Sequence, residues 1–528
     1  MKFILILEDD ARIRTDLYES LKSIDPRLHI RFFSDLASFH EFLKIAMHEG
    51  PKALANAGVR HELDSTEEIA PANTHELRLI IAKNEFLGVK NMGLIRRARD
   101  FFVRKHMCSE QEPTALILTA FDSPNFDIKL AEERIINNVI FKPFDKLILK
   151  QHLEYALTGH HPVTETAVAT VKIQSTIEML KEVSLNSLSE TGFTTINNHE
   201  IKIGAMTKYY SDSFASENKK SIFASCVSCK ALSDKEFLCE FHFFAADSGQ
   251  ISKIRRHILE NKKHTTLEIQ NTGNTTPRRI LVLDEDIPLS LEMKLLLTEK
   301  FNHVDVFTYS NIGQLLSDLA DKDTPNRQQL PSQFDFVFAN YALFEIEKEK
   351  RWTQICDYLK DRAKLHGKEL NHLPDLFLHS RKKLLPNEVR ELSTWVKDIF
   401  FTPLEKSYIA KKLISDFGFA NKSPVSVAAL EEPRPLKVAN PVEIIQISEA
   451  GLVMKYYRAI STGAFREFIL WRPNEDATPE IIVTVNFHEE NKSGQGYLNH
   501  FVFFGMKDQY LKHIRLWLLD AYIKSKEE

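Results

Sequence analysis

The sequence predicts a multidomain protein of mixed α/β and β-barrel class. Two doubly wound, five-stranded parallel domains are expected to alternate with two small β-barrels, each closed by a C-terminal helix. Three observations support this prediction. The chain has 528 residues, which corresponds to roughly three to five domains. Short landmark segments recur in the same order about 260 residues apart, and strand-length apolar runs alternate with helical spacing in one part of each repeat. A repeat of this length indicates a tandem duplication of domains and not a solenoid.

Four landmark segments define the duplication. They are ILILEDD at 4–10 and ILVLDED at 280–286, FKPF at 141–144 and FTPL at 401–404, SETG at 189–192 and SEAG at 448–451, and KIR at 253–255 and HIR at 513–515. Because their order is the same in both halves, each copy can be compared with the other position by position.

The first repeat is expected to begin with a parallel domain over residues 1–157. Continuous apolar runs of strand length alternate with segments in which apolar residues recur every three or four positions, as in a βα succession. The insert at 48–76 reads as a solvated loop. The predicted strands cover 2–8, 30–33, 77–82, 115–118 and 139–141.

A β-barrel is expected over 183–263, because the pattern changes there to short alternating segments followed by an amphipathic helix at 249–262. The barrel strands are predicted at 201–210, 221–230 and 237–245, and residues 264–278 read as a linker. The second copy is expected to comprise a parallel domain at 279–417, a linker at 421–436 and a barrel at 437–525, whose closing helix covers 508–525.

The composition favours an ordinary soluble protein. The net charge of −4 provides no general attraction for nucleic acid or an anionic membrane. The sequence contains no apolar run of the roughly 18 residues that a membrane span requires. The five cysteines are too few and too scattered for a disulfide framework, so a reducing, cytoplasmic location is expected.

Acidic side chains follow the first predicted strand of each parallel domain: Glu8 and Asp9 in the first, Asp284 and Glu285 in the second. Ligands of doubly wound sheets bind at the carboxyl ends of the strands. Because carboxylates are hard ligands, Glu8 and Asp9 could hold Mg²⁺ there. The alternative is a solvated acidic edge without metal.

Residues 1–157 resemble a response-regulator receiver domain through LILEDD at 5–10, LTA at 118–120 and FKPF at 141–144. The resemblance implies that the first acids hold a metal, that an Asp at the end of the third strand accepts a phosphoryl group, and that Thr119 and Lys142 contact it. The third strand instead ends LIIAKN at 79–84 and has no Asp.

The second copy departs further from the receiver pattern. Asn340 stands at the acceptor position, the segment LHS at 378–380 replaces LTA, and Thr402 replaces the lysine. Asn is a poor nucleophile, so we expect two pseudo-receivers that are not phosphorylated in the usual way. A phosphoryl group on another acid, such as Asp10 or Asp286, stays open as an alternative.

The barrels resemble PilZ domains, the bacterial cyclic-di-GMP receptors, through a turn of the pattern (Asp/Asn)-x-Ser-x-x-Gly. The resemblance implies ligand binding at this turn and at an upstream Arg-x-x-x-Arg motif. That motif is absent upstream of the first turn, and only Arg434 and Lys437 precede the second. The structural alternative is that Ser and Gly form a tight turn. The turn residues are Ser187, Ser189 and Gly192 in the first copy and Gln446, Ser448 and Gly451 in the second.

The first barrel also contains Cys226, Cys229, Cys239 and His242, whose spacing is typical of zinc ligands. Strand residues three apart point to opposite faces, so one metal would require two turns in the backbone. Buried structural residues are the alternative.

Three functions therefore compete. The leading hypothesis is a non-catalytic cytoplasmic signalling scaffold that binds protein partners through degenerate receiver and PilZ modules, with no cofactor assigned and a homodimer possible. The second is a cyclic-di-GMP effector that binds through the C-terminal barrel. The third is a phosphorelay regulator with a non-standard acceptor.

Overall fold

The computed structural model describes most of the chain in two compact units. The split unit comprises Met1–Leu180 and Pro441–Glu528, and the central unit comprises Lys181–Asn440. The described residues are 2–50, 53, 76–104, 106–108, 114–121, 136–158, 171–215, 221–261, 263–271, 277–301, 303–320, 331, 333–365, 372–419, 421–469, 480–491 and 496–527. The predicted loop at 48–76 therefore lies largely outside the described residues.

Parallel domain 1 contains a five-stranded, entirely parallel sheet in the order β2-β1-β3-β4-β5. This is the order of the flavodoxin-like doubly wound sheet, so the predicted receiver-like α/β fold is confirmed. Its elements are β1 Lys2–Leu7, α1 Ala11–Ile24, β2 His29–Phe33, α2 Leu36–Glu49, β3 Glu76–Lys83, α3 Asn84–Arg104, β4 Ala115–Ala120, β5 Asn138–Phe141 and α4 Lys146–Thr158.

Antiparallel module 1 follows, with its strands in the order β6-β7-β10-β9-β8. Alternating side chains of β7 and β10 build an aromatic core in which Phe193 stacks on Phe241 and meets Tyr209 edge-on. The elements are β6 Val171–Ser189, β7 Gly192–Asn197, β8 Met206–Tyr210, β9 Ser221–Ser233, β10 Glu236–Phe244, α5 Ser248–Glu260 and β11 His264–Asn271.

Parallel domain 2 has the equivalent strand order β13-β12-β14-β15-β16. Its central strands β12 and β14 contain buried apolar runs, as expected of a sheet covered by helices on both faces. The elements are β12 Arg278–Leu283, α6 Ile287–Lys300, β13 Val304–Tyr309, α7 Ile312–Ala320, β14 Phe336–Asn340, a 3₁₀ turn at Tyr341–Phe344, α8 Lys348–Leu365, β15 Asp375–Ser380, α9 Pro386–Leu392, β16 Asp398–Phe401 and α10 Lys406–Phe417.

Antiparallel module 2 completes the chain with strands in the order β18-β21-β20-β19 and a long closing helix. Ile514, Trp517 and Leu518 of that helix pack into the core of the sheet. The elements are β17 Asn421–Ile447, β18 Gly451–Tyr456, β19 Phe465–Ile469, β20 Glu480–Glu490, β21 Tyr497–Phe504 and α11 Asp508–Glu527.

Each compact unit combines domains from different repeats. The split unit contains parallel domain 1 and antiparallel module 2, and the central unit contains antiparallel module 1 and parallel domain 2. In the split unit, Phe504 of β21 belongs to the same apolar core as Val139 of β5. In the central unit, Phe223 of β9 and Phe244 of β10 share a core with Ile399 of β16.

The edge strands are exchanged in the same way. Residues 437–439 of β17 pair with β8 of antiparallel module 1, and residues 178–180 of β6 pair with β19 of antiparallel module 2. Each antiparallel sheet thus receives an edge strand that precedes the other sheet in the sequence.

The described parts of the two predicted linkers include regular structure. Residues 264–271 pair antiparallel with 421–428, so both segments are strands in the central unit. Their Thr, Asn and Pro content indicated loops, but ladder hydrogen bonds between the two segments satisfy their backbone groups. Among the described helices, none is both long and apolar enough to cross a membrane.

Candidate functional site

The acidic pocket of parallel domain 1 is filled by the protein's own cations. Glu8 follows β1 and has only 1% of its surface exposed. Its Oε2 accepts a hydrogen bond from Nζ of Lys142 at 2.5 Å and from Oγ1 of Thr119 at 3.3 Å. The three residues predicted from the receiver pattern are therefore brought together, and the carboxylate is neutralised by the lysine.

A second lysine stands at the position where the receiver pattern predicts a phosphoacceptor. In the sheet register, Leu7 lies opposite Ala82 in this domain, as Leu283 lies opposite Ala339 in the other. Lys83 is therefore the counterpart of Asn340. Its Nζ contacts Oδ1 of Asp9 at 2.8 Å. Hydrogen bonding to Lys83 lowers the pKa of Asp9 and raises that of Lys83.

The pocket of parallel domain 2 is built from neutral partners. Asp284 is buried, and its Oδ1 accepts a hydrogen bond from Nδ2 of Asn340 at 2.8 Å. Nε2 of His379 lies 3.3 Å from Oδ2 of Asp284, although burial lowers the pKa of this histidine. Within the described residues, the Thr402 hydroxyl has no hydrogen-bond partner, and Glu285 is exposed.

The alternative acceptors Asp10 and Asp286 cap helices. Asp10 accepts hydrogen bonds from the backbone N–H groups of Arg12 and Ile13 at the start of α1. Asp286 does the same for Leu289 at the start of α6. These are the N-cap contacts that Asp side chains typically make, so both residues have a structural role.

A pair of equivalent ion clusters joins each parallel domain to the antiparallel module of its unit. In the central unit, Arg255 of α5 donates hydrogen bonds to Glu190 at 2.8 Å and to Glu405 at 3.2 Å. Burial alone would raise the pKa of Glu190, but hydrogen bonds from Lys411, Ser426 N–H and Arg255 outweigh this effect and lower it.

The split unit repeats this arrangement with the matching residues of the other copy. Arg515 of α11 donates to both oxygens of Glu449 at 3.0 Å, and to Oδ2 of Asp145 at 2.6 Å. The pKa of Arg515 is raised by these two carboxylates. In each unit, the parallel domain therefore contacts the antiparallel module through the same set of charged residues.

A second shared contact lies at the start of the last parallel strand. In the split unit, Asn138 donates to the carbonyl of Phe503 at 3.2 Å and accepts from Gly505 N–H at 3.1 Å. In the central unit, Asp398 accepts from Ala245 N–H at 2.9 Å. Side chains of β5 and β16 thus satisfy backbone groups at the C-terminal ends of β21 and β10.

The Ser and Gly residues of both predicted turns bond to one another. In the first turn, Gly192 N–H donates to Oγ of Ser189 at 2.9 Å, and a Cβ on Gly192 would lie 2.0 Å from the Phe241 carbonyl oxygen. Ser187 Oγ lies 2.6 Å from Thr194 Oγ1. This geometry gives the glycine a packing role.

The second turn repeats the first. Gly451 N–H donates to Oγ of the fully buried Ser448 at 3.2 Å, and Gln446 lies opposite Val453 in the β17–β18 ladder. These residues belong to the split unit. Arg434 and Lys437, the predicted basic group of the same site, belong to the central unit, where Lys437 pairs with Tyr210.

The predicted zinc ligands described next contact different groups of the protein. Cys229 and Cys239 lie opposite each other on β9 and β10, with their Sγ atoms 3.0 Å apart, and both are free thiols. Nδ1 of His242 lies 2.9 Å from Asp416. The described residues contain no group of three or more side chains arranged to hold a metal ion.

Sequence reasoning missed the buried partners of Asn138 and Asp398. Nδ1 of His152 lies 3.0 Å from Nδ2 of Asn138, and Nζ of Lys412 lies 3.0 Å from Oδ2 of Asp398. A signal was present, because these pairs occupy matching positions of the two repeats. The signal is weak by itself, because lysine is mostly exposed and histidine is intermediate in burial.

The buried histidine gives the split unit a pH dependence. Burial lowers the pKa of His152 from 6.5 to about 4, so the unfolded chain takes up this proton at a higher pH than the folded chain. The neutral state of buried His152 contributes about 3 kcal/mol to the free energy of unfolding. This contribution is present above about pH 6.5 and is lost as the pH falls towards 4. We expect His152→Gln to remove this component. Hydrogen exchange of β5 amides at pH 7 and pH 5 measures it, and an equal pH response in the variant would contradict the assignment.

No protein-family model matches the sequence, and no curated protein matches it. Solved structures that resemble the chain include a putative pilus assembly-related protein from Burkholderia pseudomallei, with 16% identity, a TM-score of 0.19, and coverage of 28% of this chain and 92% of the other. A putative pilus assembly protein from Burkholderia thailandensis has 16% identity, a TM-score of 0.18, and coverage of 26% and 95%. A response regulator receiver domain protein (CheY-like) from Methanospirillum hungatei has 16% identity, a TM-score of 0.17, and coverage of 26% and 92%.

Proposed function

We propose that this protein is a non-catalytic, cytoplasmic signalling scaffold. In this proposal, two pseudo-receivers act as docking domains for PilZ-like modules and leave their remaining surfaces to protein partners. The observation that carries it is the state of the two pockets. Lys83 and Asn340 stand where a phosphoacceptor would be required, and the acids beside them bind groups of the chain itself.

The charge balance of the first pocket supports this proposal. Lys142 neutralises Glu8, and Lys83 neutralises Asp9. A divalent cation would have to displace an ammonium group from each carboxylate, and a phosphoryl group would find no carboxylate at the end of β3. The pocket therefore favours a permanently formed structure over a metal-dependent switch.

The docking role is supported by the repeated interface. Arg255 and Arg515 make the same two-carboxylate contact in their units. Such charge-assisted, multidentate hydrogen bonds of arginine are strong, and they also define the relative orientation of the groups that they join. Because the same contact persists in both copies while the pocket residues differ, the structural role is retained where the phosphoacceptor is not.

Cyclic-di-GMP binding at the Ser–Gly turns receives less support. The residue that follows the Ser in each turn, Glu190 or Glu449, accepts a hydrogen bond from the arginine of the interface. We therefore expect calorimetric titration of the full chain with cyclic-di-GMP to give no micromolar binding. Binding that is abolished by Ser448→Ala would contradict the scaffold proposal.

Phosphorylation provides the main test. We expect the protein to form no covalent adduct when incubated with acetyl phosphate and Mg²⁺, as measured by intact mass. Lys83→Asp places a carboxylate beside Glu8, Asp9, Thr119 and Lys142 and should produce a Mg²⁺-dependent phosphoryl adduct. Lys83→Asn, which copies Asn340, is the matched control without an acceptor. A stoichiometric adduct on the unmodified chain would overturn the proposal.

A further inference from the structure

The central unit contains a basic cavity that the proposed function does not use. It has a volume of about 390 Å³ and lies between the turn after β8, the second half of α5 and the start of the exchanged part of β17. This volume is at the lower end of the range of about 300–1,000 Å³ typical of small-molecule sites. The lining residues are Ser211, Asp212, Ser213, Lys253, Arg256, His257, Glu260, Arg434 and Pro435.

The cations of this cavity form no ion pair with any carboxylate of the described residues. Lys253, Arg256 and Arg434 are the permanently charged basic groups of the lining, and within the described part of the chain no carboxylate lies at ion-pair distance from any of them. Asp212 and Glu260 also line the cavity without pairing with these cations. With three cations against these two carboxylates, the lining carries a net positive charge, which favours an anion.

The Arg434 side chain is positioned by a hydrogen bond to His257. Nη1 of Arg434 lies 2.5 Å from Nε2 of His257. Arginine can only donate hydrogen bonds, so this imidazole nitrogen must accept, and the ring is neutral with its proton on Nδ1. Burial and the neighbouring arginine lower the pKa of His257. The guanidinium is therefore positioned by a neutral group that does not cancel its charge.

The other repeat lacks the feature. The helix positions of Arg256 and His257 correspond to Leu516 and Trp517 in α11, and Trp517 packs into an apolar core. Arg434 reaches the cavity only because β17 is exchanged, which places a residue of the second repeat beside a module of the first. The basic lining is thus a specific property of antiparallel module 1.

We propose that this cavity binds a phosphate monoester of mononucleotide size. Arg256 and Arg434 would fork onto the phosphate oxygens as guanidinium groups do, Lys253 would add a point charge, and the hydroxyl of Ser211 could donate a hydrogen bond. The hydroxyl of Ser213 lies 3.3 Å from Nε2 of His257 and helps to hold the imidazole. The site is distinct from the Ser–Gly turns and involves no covalent step.

Calorimetric titration of the full chain with AMP, GMP, adenosine and inorganic phosphate tests this proposal. We expect AMP or GMP to bind, adenosine to show no binding, and the affinity for the nucleotide to fall as salt is raised. Arg256→Leu and Arg434→Gln should each weaken binding about tenfold or more, because each removes a charge-assisted hydrogen bond.

The variant Lys230→Gln/Lys235→Gln is the matched control, because it removes two exposed cations from the β9–β10 hairpin of the same unit and should leave binding unchanged. If this control lost as much nucleotide affinity as the arginine variants, the affinity would depend on the general charge of the unit, and the assignment of the site to this cavity would be overturned. Binding of inorganic phosphate as tight as that of AMP and GMP, or no binding of either nucleotide, would overturn the ligand class. None of these results bears on the acetyl phosphate test of the pseudo-receivers.

Discussion

Replacing Lys412 with methionine should destabilise the central unit by about 3–5 kcal/mol, because it leaves two buried carboxylates without their cation. Nζ of Lys412 lies 3.0 Å from Asp398 and 2.6 Å from Asp416, and it also donates to the carbonyl of Phe243. All three charged side chains are at most 5% exposed. Burial would lower the pKa of Lys412, but the two carboxylates outweigh it and raise the pKa.

The matching residues of the split unit indicate a set of substitutions that should restore stability to this variant. The positions of Asp398, Lys412 and Asp416 correspond to Asn138, His152 and Ala156 in the first repeat. We therefore expect the triple variant Asp398→Asn/Lys412→His/Asp416→Ala to lose clearly less stability than Lys412→Met, because it replaces the charged cluster by the neutral pair found in the other unit. Lys406→Met, which breaks an exposed pair with Glu292, should cost only about 0–1 kcal/mol.

Hydrogen exchange measures these effects locally, which matters because a chain with two units need not unfold in one step. Amides of β16 and α10 should exchange faster in Lys412→Met, while those of β5 and α4 serve as an internal reference. Equal protection of β16 in Lys412→Met and in the unmodified chain would show that the cluster contributes little.

The parallel domains could be predicted from the sequence because their signals are local. Apolar runs such as 2–8 and 115–118, with helical spacing between them, indicate a parallel sheet without knowledge of its partners. The strand order then follows from few permitted topologies. The resemblance to receiver domains implied that Glu8, Thr119 and Lys142 lie at one edge of the sheet. Their direct contact was not predicted, because the resemblance assigns Thr119 and Lys142 to a phosphoryl group.

The exchange of domains could not be predicted because it leaves no local signal. Arg255 and Arg515 carry the same contacts, so the sequence pattern is the same whether a module packs on its own repeat or on the other. The strands at 264–271 and 421–428 were missed for a related reason. Each is polar enough to be a linker by itself and becomes a strand only through its pairing with a distant segment.

The buried pair of Lys142 and Glu8 should contribute the second large effect. Both side chains are at most 1% exposed. Lys142→Met removes the cation. Among the described residues, the Glu8 carboxylate then keeps only the neutral donors Thr119 Oγ1 at 3.3 Å and Asp10 N–H at 3.2 Å, so we expect a loss of about 3–5 kcal/mol in the split unit. Thermal unfolding and hydrogen exchange of β1 amides would measure this loss.

A double substitution separates the burial of charge from the loss of packing. Glu8→Gln/Lys142→Met removes both charges while keeping similar volumes, and replacing both partners of a buried pair is often nearly neutral. We therefore expect the double variant to be more stable than Lys142→Met alone. Lys83→Met is the matched control, since its partner Asp9 is 46% exposed and can be solvated by water, so that its loss should be about 0–1 kcal/mol. If the double variant were as unstable as the single one, the lysine would act mainly through its packing, and the pocket would not depend on internal charge neutralisation.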